Sequence, residues 1–471
     1  MVFSSATFLF YFFPVFLILY YVLPWKNPVL LVASLVFYAW GEPRFVPLLM
    51  FSAVLNYGVG YAMSRFAAQK KALLWFGIAA NLIFLMYYKY IGFFVSVLNE
   101  AVSLFSSPIK LPEVILPLGI SFFTFQGVSY LIDVYRGDVG AQKSFWNFAM
   151  YKAMFPQLIA GPIVRYKQIA HEVDHRDITN ARVLAGLQQF IIGLAQKVLI
   201  ANTVALPADS IFAVPPDQLS TTSAWIGIAC YSIQILYDFA GYSNMAIGIG
   251  HMIGFSYPPN FNRPYSSTSV TEFWRRWHIS LSSWFRDYLY IPLGGNRISA
   301  ARTYVNLAMV FLLCGLWHGA AWTFIIWGAW HGVLLVIERM GLGRLLERMP
   351  QTIAQIYTLL VVMIGWVFFR ANDVPYALRF LEVMFGKASA DATHPWQMDF
   401  GPAAAVALLA GVLIATWRFP EEKVKGRDVR PRMRTVMSSM PLRVAGAVSA
   451  FVLCVASLAA GTYNPFIYFR F

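Results

Sequence analysis

The chain has 471 residues, of which 59% are hydrophobic, 17% aromatic and only 12% charged, with a mean hydropathy of +0.59. Such a composition excludes a soluble globular domain and describes an all-α polytopic membrane protein. The net charge of +14 sits in short basic clusters between apolar runs, so the partners it implies are anionic membrane lipids and not nucleic acid.

The first 24 residues are apolar but lack a basic n-region and a small-residue cleavage site, and read as a retained first span. Runs of about the 20 residues a span requires lie near 3–24, 28–42, 45–64, 73–97, 115–135, 184–204, 223–255, 351–370, 402–417 and 444–462. Two more runs read as re-entrant or hairpin-like. One is 146–164, interrupted by Pro156 and Ala160-Gly161-Pro162; the other is 303–337, interrupted at His318-Gly319. Broken helices at membrane depth are tolerated where protein buries them or where they line a cavity. Arg65, Lys70 and Lys71, then Arg165, Lys167, Arg176 and Arg182, then the stretches 263–302 and 418–443 are basic and belong to the cytoplasmic side, whereas 205–222 carries Asp209 and Asp217 without Lys or Arg and belongs outside. Ten full spans, with the two interrupted runs re-entrant, place both termini outside. No stretch between spans is long enough for a soluble domain, so 1–471 is one integral membrane domain. Cys230, Cys314 and Cys454 lie in apolar segments without ligand spacing, which predicts neither a disulfide nor a metal site.

Against this background a few polar residues stand out, because an ionisable side chain at membrane depth is costly and marks a functional site by default. Ser269-Val270-Thr271-Glu272 is a capping-box pattern. In the helix it predicts, Arg275, His278, Ser282 and Arg286 share one face, and Phe273, Trp277, Trp284 and Tyr288 another. The arginines and tryptophans suit an interfacial amphipathic helix; equally, a cationic face guides a phosphate-bearing donor. His278 is the member that an interfacial role explains least. Downstream, Trp317-His318-Gly319 sits deep in an apolar run with Gly315 nearby, which puts His318 at a helix break. A neutral imidazole there serves either as a general base for a hydroxyl attacking an acyl carbonyl or as one end of an interhelical hydrogen bond. His331 reads as hydrogen-bonded only. Lys89, Asp133 and Asp238 are buried charges that require partners; Asp238 either orients a histidine or, the favoured reading, satisfies a basic residue. The chain carries no Gly-x-Ser-x-Gly elbow, P-loop or paired carboxylates, and Cys314 is a buried apolar cysteine of the inert kind.

Met1-Val2-Phe3-Ser4-Ser5, Leu116-Pro117-Leu118-Gly119-Ile120-Ser121-Phe122, Ile159-Ala160-Gly161-Pro162, Tyr237 to Ser243, Thr271 to Ser282, Leu293-Gly294-Gly295-Asn296-Arg297 and Pro465 to Phe469 together resemble the membrane-bound O-acyltransferase family, nearly end to end. The closest likeness is to the bacterial branch that acetylates exported polysaccharides; the branch that D-alanylates teichoic acids is more distant. The resemblance implies a ring of about ten to twelve helices around a thin central layer, with funnels from both faces meeting at the catalytic His318 and with His278 as its polar partner. Arg275, Arg276, Arg286 and Ser282 would guide the donor, and Asp238, Trp317 and Trp277 would support the site. It implies an O-acetyltransferase of the inner membrane with no bound cofactor or metal. An acetyl donor such as acetyl-CoA, or an acyl carrier, would be used from the cytoplasm. The acetyl group would pass outward to a separate SGNH-like periplasmic acetyltransferase and then to a polysaccharide. Alginate is the leading polymer, ahead of acetylated cellulose, other exopolysaccharides and peptidoglycan. The competing class, a transporter or scaffold of an export complex, often shows paired internal repeats, and the sequence contains none.

Overall fold

In the computed structural model, residues 1–102, 108–111, 114–389, 394–417, 440–461 and 463–466 are described. The basic stretch 418–439 and the end of the closing motif, 467–469, lie outside them. The described chain is helical, with one isolated bridge between Leu219 and His394. Its helices are α1 (Phe13–Val22), α2 (Lys26–Gly41), α3 (Val46–Arg65), α4 (Lys70–Leu85), α5 (Ile91–Val102), α6 (Ile120–Arg136), α7 (Phe145–Ala153), α8 (Phe155–Leu158), α9 (Tyr166–Asp174), α10 (Asn180–Ala195) and α11 (Asn202–Ala213). They continue with α12 (Thr221–Met252), α13 (Val270–Arg276), α14 (Ile279–Phe285), α15 (Ala300–His318), α16 (Trp322–Ile337), α17 (Gly343–Arg348), α18 (Gln351–Arg370), α19 (Val374–Met384), α20 (Pro402–Thr416) and α21 (Met440–Ala459).

Seven helical stretches among the described residues are long and apolar enough to cross a bilayer: Pro43–Arg65, Ala67–Val102, Asn180–Ala213, Ala300–His318, Trp322–Arg348, Gln351–Arg370 and Pro441–Ala459. Phe8–Val22 and Pro402–Thr416 are apolar but shorter. Three expected spans differ for a physical reason. The run at 28–42 is a helix of 16 residues and that at 115–135 one of 17. The run at 223–255 is a helix of 32 residues whose buried face carries Ser232, Gln234, Asp238 and Ser243. Helices α6 and α12 lie in the protein interior, so their polar residues meet protein partners and not lipid.

Of the two readings of 303–337, the hairpin-like one holds: two span-length helices are joined by Gly319 to Ala321, and only its count as a re-entrant loop is corrected. A hairpin of two crossings returns the chain to the side it left, as a re-entrant loop does, so the expected sidedness is unchanged. The run 146–164 does form short, interrupted elements: α7 and α8 lead into a segment without regular secondary structure, and every residue from Phe148 to Tyr166 is buried. Small residues allow the closest helix contacts. In α10 and α12, Gly193 and Gly241 face each other, as do Gly186 and Gly248: a Cβ on Gly193 would lie 2.4 Å from Gly241 O, and one on Gly186 2.5 Å from Gly248 O.

Candidate active site

The site forms where the end of α15 meets the break between α13 and α14. Helix α15 starts at Ser299, whose hydroxyl accepts from Arg302 N at 3.2 Å. It ends against α16 at a glycine seam, where a Cβ on Gly315 would come 2.3 Å from Phe324 O and one on Gly328 2.3 Å from Phe311 O. His318 is the last residue of α15. Its Nδ1 lies 2.7 Å from Cys314 O. A carbonyl only accepts, so Nδ1 carries the proton and Nε2 presents a lone pair. No described residue hydrogen-bonds to that Nε2. The residue is 8% exposed, and it borders a cavity of about 200 Å³ whose walls include Glu42, Lys89, Gly119, Ser121 and Trp317.

His278 reaches the same place from another direction. The continuous amphipathic helix expected over 269–288 is not formed: α13 stops at Arg276, and His278 takes the left-handed conformation with φ 42° and ψ 52° before α14 begins. The arginines and Ser282 therefore do not share one helix face with His278. The start of α13 follows the capping pattern in part. Ser269 Oγ accepts from Glu272 N at 3.0 Å, but the Glu272 carboxylate accepts from Thr268 N at 2.8 Å and not from Ser269. Glu338 adds a second cap, taking Val270 N at 2.6 Å and Thr271 N at 2.9 Å. Asn260 braces the break: its backbone O accepts from Ile279 N at 2.9 Å, and its Oδ1 accepts from Ser280 N and Ser280 Oγ at 3.2 and 2.8 Å. Ser280 Oγ accepts in turn from Ile163 N at 3.0 Å, which ties the Ile159 to Pro162 motif to this turn.

The His278 ring is fully buried, and neither nitrogen has a hydrogen-bond partner among the described residues. Its centroid lies 6.5 Å from that of His318, 6.0 Å from Trp317 and 4.6 Å from Phe239. The two imidazoles thus face one another without a mutual hydrogen bond, inside a collar of aromatic rings that also includes Trp327 and Phe369.

The remaining expected site residues divide between support and surface. Trp317 packs on Phe122 and Phe125, and Trp277 is buried against Trp366. Asp238 pairs with Lys197 at 2.9 Å, as the favoured reading of its sequence required. Ser282 Oγ donates to Trp277 O at 3.3 Å. Arg276 is held by Glu272, Arg286 by Asp287, and Arg275 is exposed without an ion-pair partner among the described residues. Burial pushes the Asp287 carboxyl up, but hydrogen bonds from Arg286 and Arg165 outweigh it and hold the group below its ordinary value. Asp133 accepts from Lys167 at 2.8 Å and from the Tyr288 hydroxyl at 2.7 Å. His331 is hydrogen-bonded, as expected, with Nδ1 accepting from Trp274 Nε1 at 3.3 Å. Sequence reasoning missed Asn260, Glu338 and Tyr90. None has a periodic or motif signal, because each acts on a segment remote in the chain.

The family model for membrane-bound O-acyltransferases matches residues 140–371, a stretch that contains both histidines. A probable alginate O-acetylase, AlgI, of Azotobacter vinelandii is 41% identical over 505 aligned residues that cover all of both chains. The peptidoglycan O-acetyltransferase of Helicobacter pylori is 37% identical over 84% of this chain and 81% of its own length. A teichoic acid D-alanyltransferase of Bacillus subtilis is 31% identical over 43% of this chain and 54% of its own. With its helical architecture, its buried histidine pair and a relative 41% identical along the whole of both chains, the chain belongs to the membrane-bound O-acyltransferase family, and it is a multi-pass membrane acyltransferase.

Proposed function

We propose that this acyltransferase moves acetyl groups across the bacterial inner membrane for the O-acetylation of an exported polysaccharide, alginate first among the candidates. The observation that carries the reading is the state of His318: Nδ1–H is committed to Cys314 O, Nε2 is left as a lone pair, and the ring stands at the wall of a cavity. That is the arrangement a general base needs. In the proposed step Nε2 takes the proton of an attacking hydroxyl as its oxygen bonds to the acetyl carbonyl carbon. The carbon–sulfur bond of a thioester donor such as acetyl-CoA breaks, and the proton passes to the departing thiolate. The dry aromatic collar protects the activated acyl group from water. His278, with both nitrogens unclaimed, assists from the opposite side of the reacting group.

On this reading the donor binds from the cytoplasmic side, a sidedness the basic segments support, and Arg275, with Arg276 and Arg286 beside it, meets a phosphate-bearing carrier. The acetyl group leaves by the cavity beside Glu42 and Lys89 toward an SGNH-like periplasmic acetyltransferase. A second acceptor, peptidoglycan, is favoured by the Helicobacter pylori relative. One experiment separates them: acetyl-ester content of secreted polysaccharide and of peptidoglycan in cells carrying wild type or His318→Ala at equal membrane levels. Acetylation of one polymer lost with its yield intact is the expected result and names the acceptor. Unchanged acetylation of both would remove His318 as the base. Loss of the polymer itself would favour an export scaffold.

A further inference from the structure

The last carbonyls of any helix lack donors within the helix. At the end of α15 they are buried within the protein, where an unmatched carbonyl is costly. Cys314 O is taken by His318 Nδ1 at 2.7 Å and Gly315 O by Gly319 N at 3.3 Å. The next three carbonyls are all served by one remote element, the π-helical segment Met86–Tyr90 that follows α4. Tyr90 donates its hydroxyl to Leu316 O at 2.8 Å. Lys89 Nζ donates to Trp317 O at 2.5 Å and to His318 O at 3.2 Å, and its third N–H reaches Ser121 Oγ at 3.2 Å.

Several features separate this lysine from a structural ammonium. No carboxylate pairs with it among the described residues, so its charge is not there to complete an ion pair. It lies 5.8 Å from the Trp317 ring and borders the same cavity as His318. It also comes from a π-helical turn, a distortion frequent at functional sites. A compact ammonium with three donors suits carbonyls converging from two successive residues.

We propose that Lys89, assisted by Tyr90, is a positioning residue for the transfer reaction: it locks the carbonyl end of α15 and thereby sets the depth and direction of His318. The proposal rests on the reading of His318 as the base. A base displaced by about an ångström loses up to roughly 100-fold in rate, so the clamp is read chiefly in acetylation, with a smaller cost in stability.

The test compares acetyl-ester content of the polymer in cells expressing Lys89→Met, Lys89→Arg, Tyr90→Phe and His318→Ala at matched membrane levels, with melting of each purified protein in detergent. Lys89→Met is expected to lower acetylation roughly 10- to 100-fold, and Tyr90→Phe about 3- to 10-fold. Lys89→Arg, which keeps the charge and donates to carbonyls, restores part of the loss, while the melting midpoint of Lys89→Met falls by only a few degrees for the two carbonyls left without a donor. Wild-type acetylation in Lys89→Met overturns the proposal. So does equal loss in both Lys89 variants with Tyr90→Phe unaffected. If Lys89→Met fails to accumulate, Tyr90→Phe decides, because it deletes one hydroxyl and no charge: wild-type acetylation in that variant overturns the clamp. Acetylation that persists in His318→Ala would instead remove the base, a failure distinguishable from that of Lys89.

Discussion

His278 holds a backbone conformation that costs a residue with a Cβ about 1–2 kcal/mol and glycine nothing comparable. Non-glycine residues of this kind gather at functional sites, where the surrounding structure imposes them, and here Asn260 and Ser280 do so. His278→Gly should therefore be more stable than His278→Ala by about 1 kcal/mol, read as a melting midpoint a few degrees higher in detergent, while both fail to acetylate. A midpoint for the alanine variant equal to or above that of the glycine variant would show that the turn is not strained. The contrast marks what could be read from single residues. The place of His318 at a helix end was legible because glycines flank a histidine within an apolar run, and the pairing of Asp238 because a charge there demands a partner. The partners themselves were not legible. Lys89 meets carbonyls 228 and 229 residues away, and Asp133 meets a lysine 34 residues on, contacts that no local pattern encodes.

At the scale of elements, periodicity identified the apolar helices but erred where tertiary contacts overrule it. The spacing of Arg275, His278, Ser282 and Arg286 suited one helix, yet the backbone breaks at His278 because Asn260 offers the chain an alternative set of hydrogen bonds. The hairpin of α15 and α16 was legible as an interruption and not as two full crossings, since the signals of a turn at Gly319 and of a re-entrant loop coincide. Its seam gives a sharp test. A methyl group at Gly315 would approach Phe324 O to 2.3 Å, so Gly315→Ala must part the helices. The expected destabilisation is about 1–3 kcal/mol, seen as a lower melting midpoint together with reduced acetylation, because His318 lies one turn away. A substitution without effect on either would mean that the seam is looser than its geometry.

For the whole molecule, the even number of crossings in the hairpin means that sidedness depends only on the basic loops. Asp217 lies in the acidic loop, with its side chain 70% exposed, and Arg275 is exposed on the opposite assignment. The three native cysteines are buried. In cells with a permeabilised outer membrane, Asp217→Cys should react with an impermeant maleimide, whereas Arg275→Cys should react only after the inner membrane is opened. Labelling of both from outside would break the proposed orientation.

One consequence follows from the pair of histidines, which enter from separate segments and end with ring centroids 6.5 Å apart. On the proposed function, the pair and its aromatic collar stand between a cytoplasmic donor and an outer acceptor, and so between two compartments at different electrical potential. Trp317, Phe239, Trp327 and Phe369 around the pair then serve as electrical insulation as well as packing. Thinning that collar would make the enzyme a proton leak, and cells would register the damage as a loss of energised membrane before they registered it as a loss of acetylation.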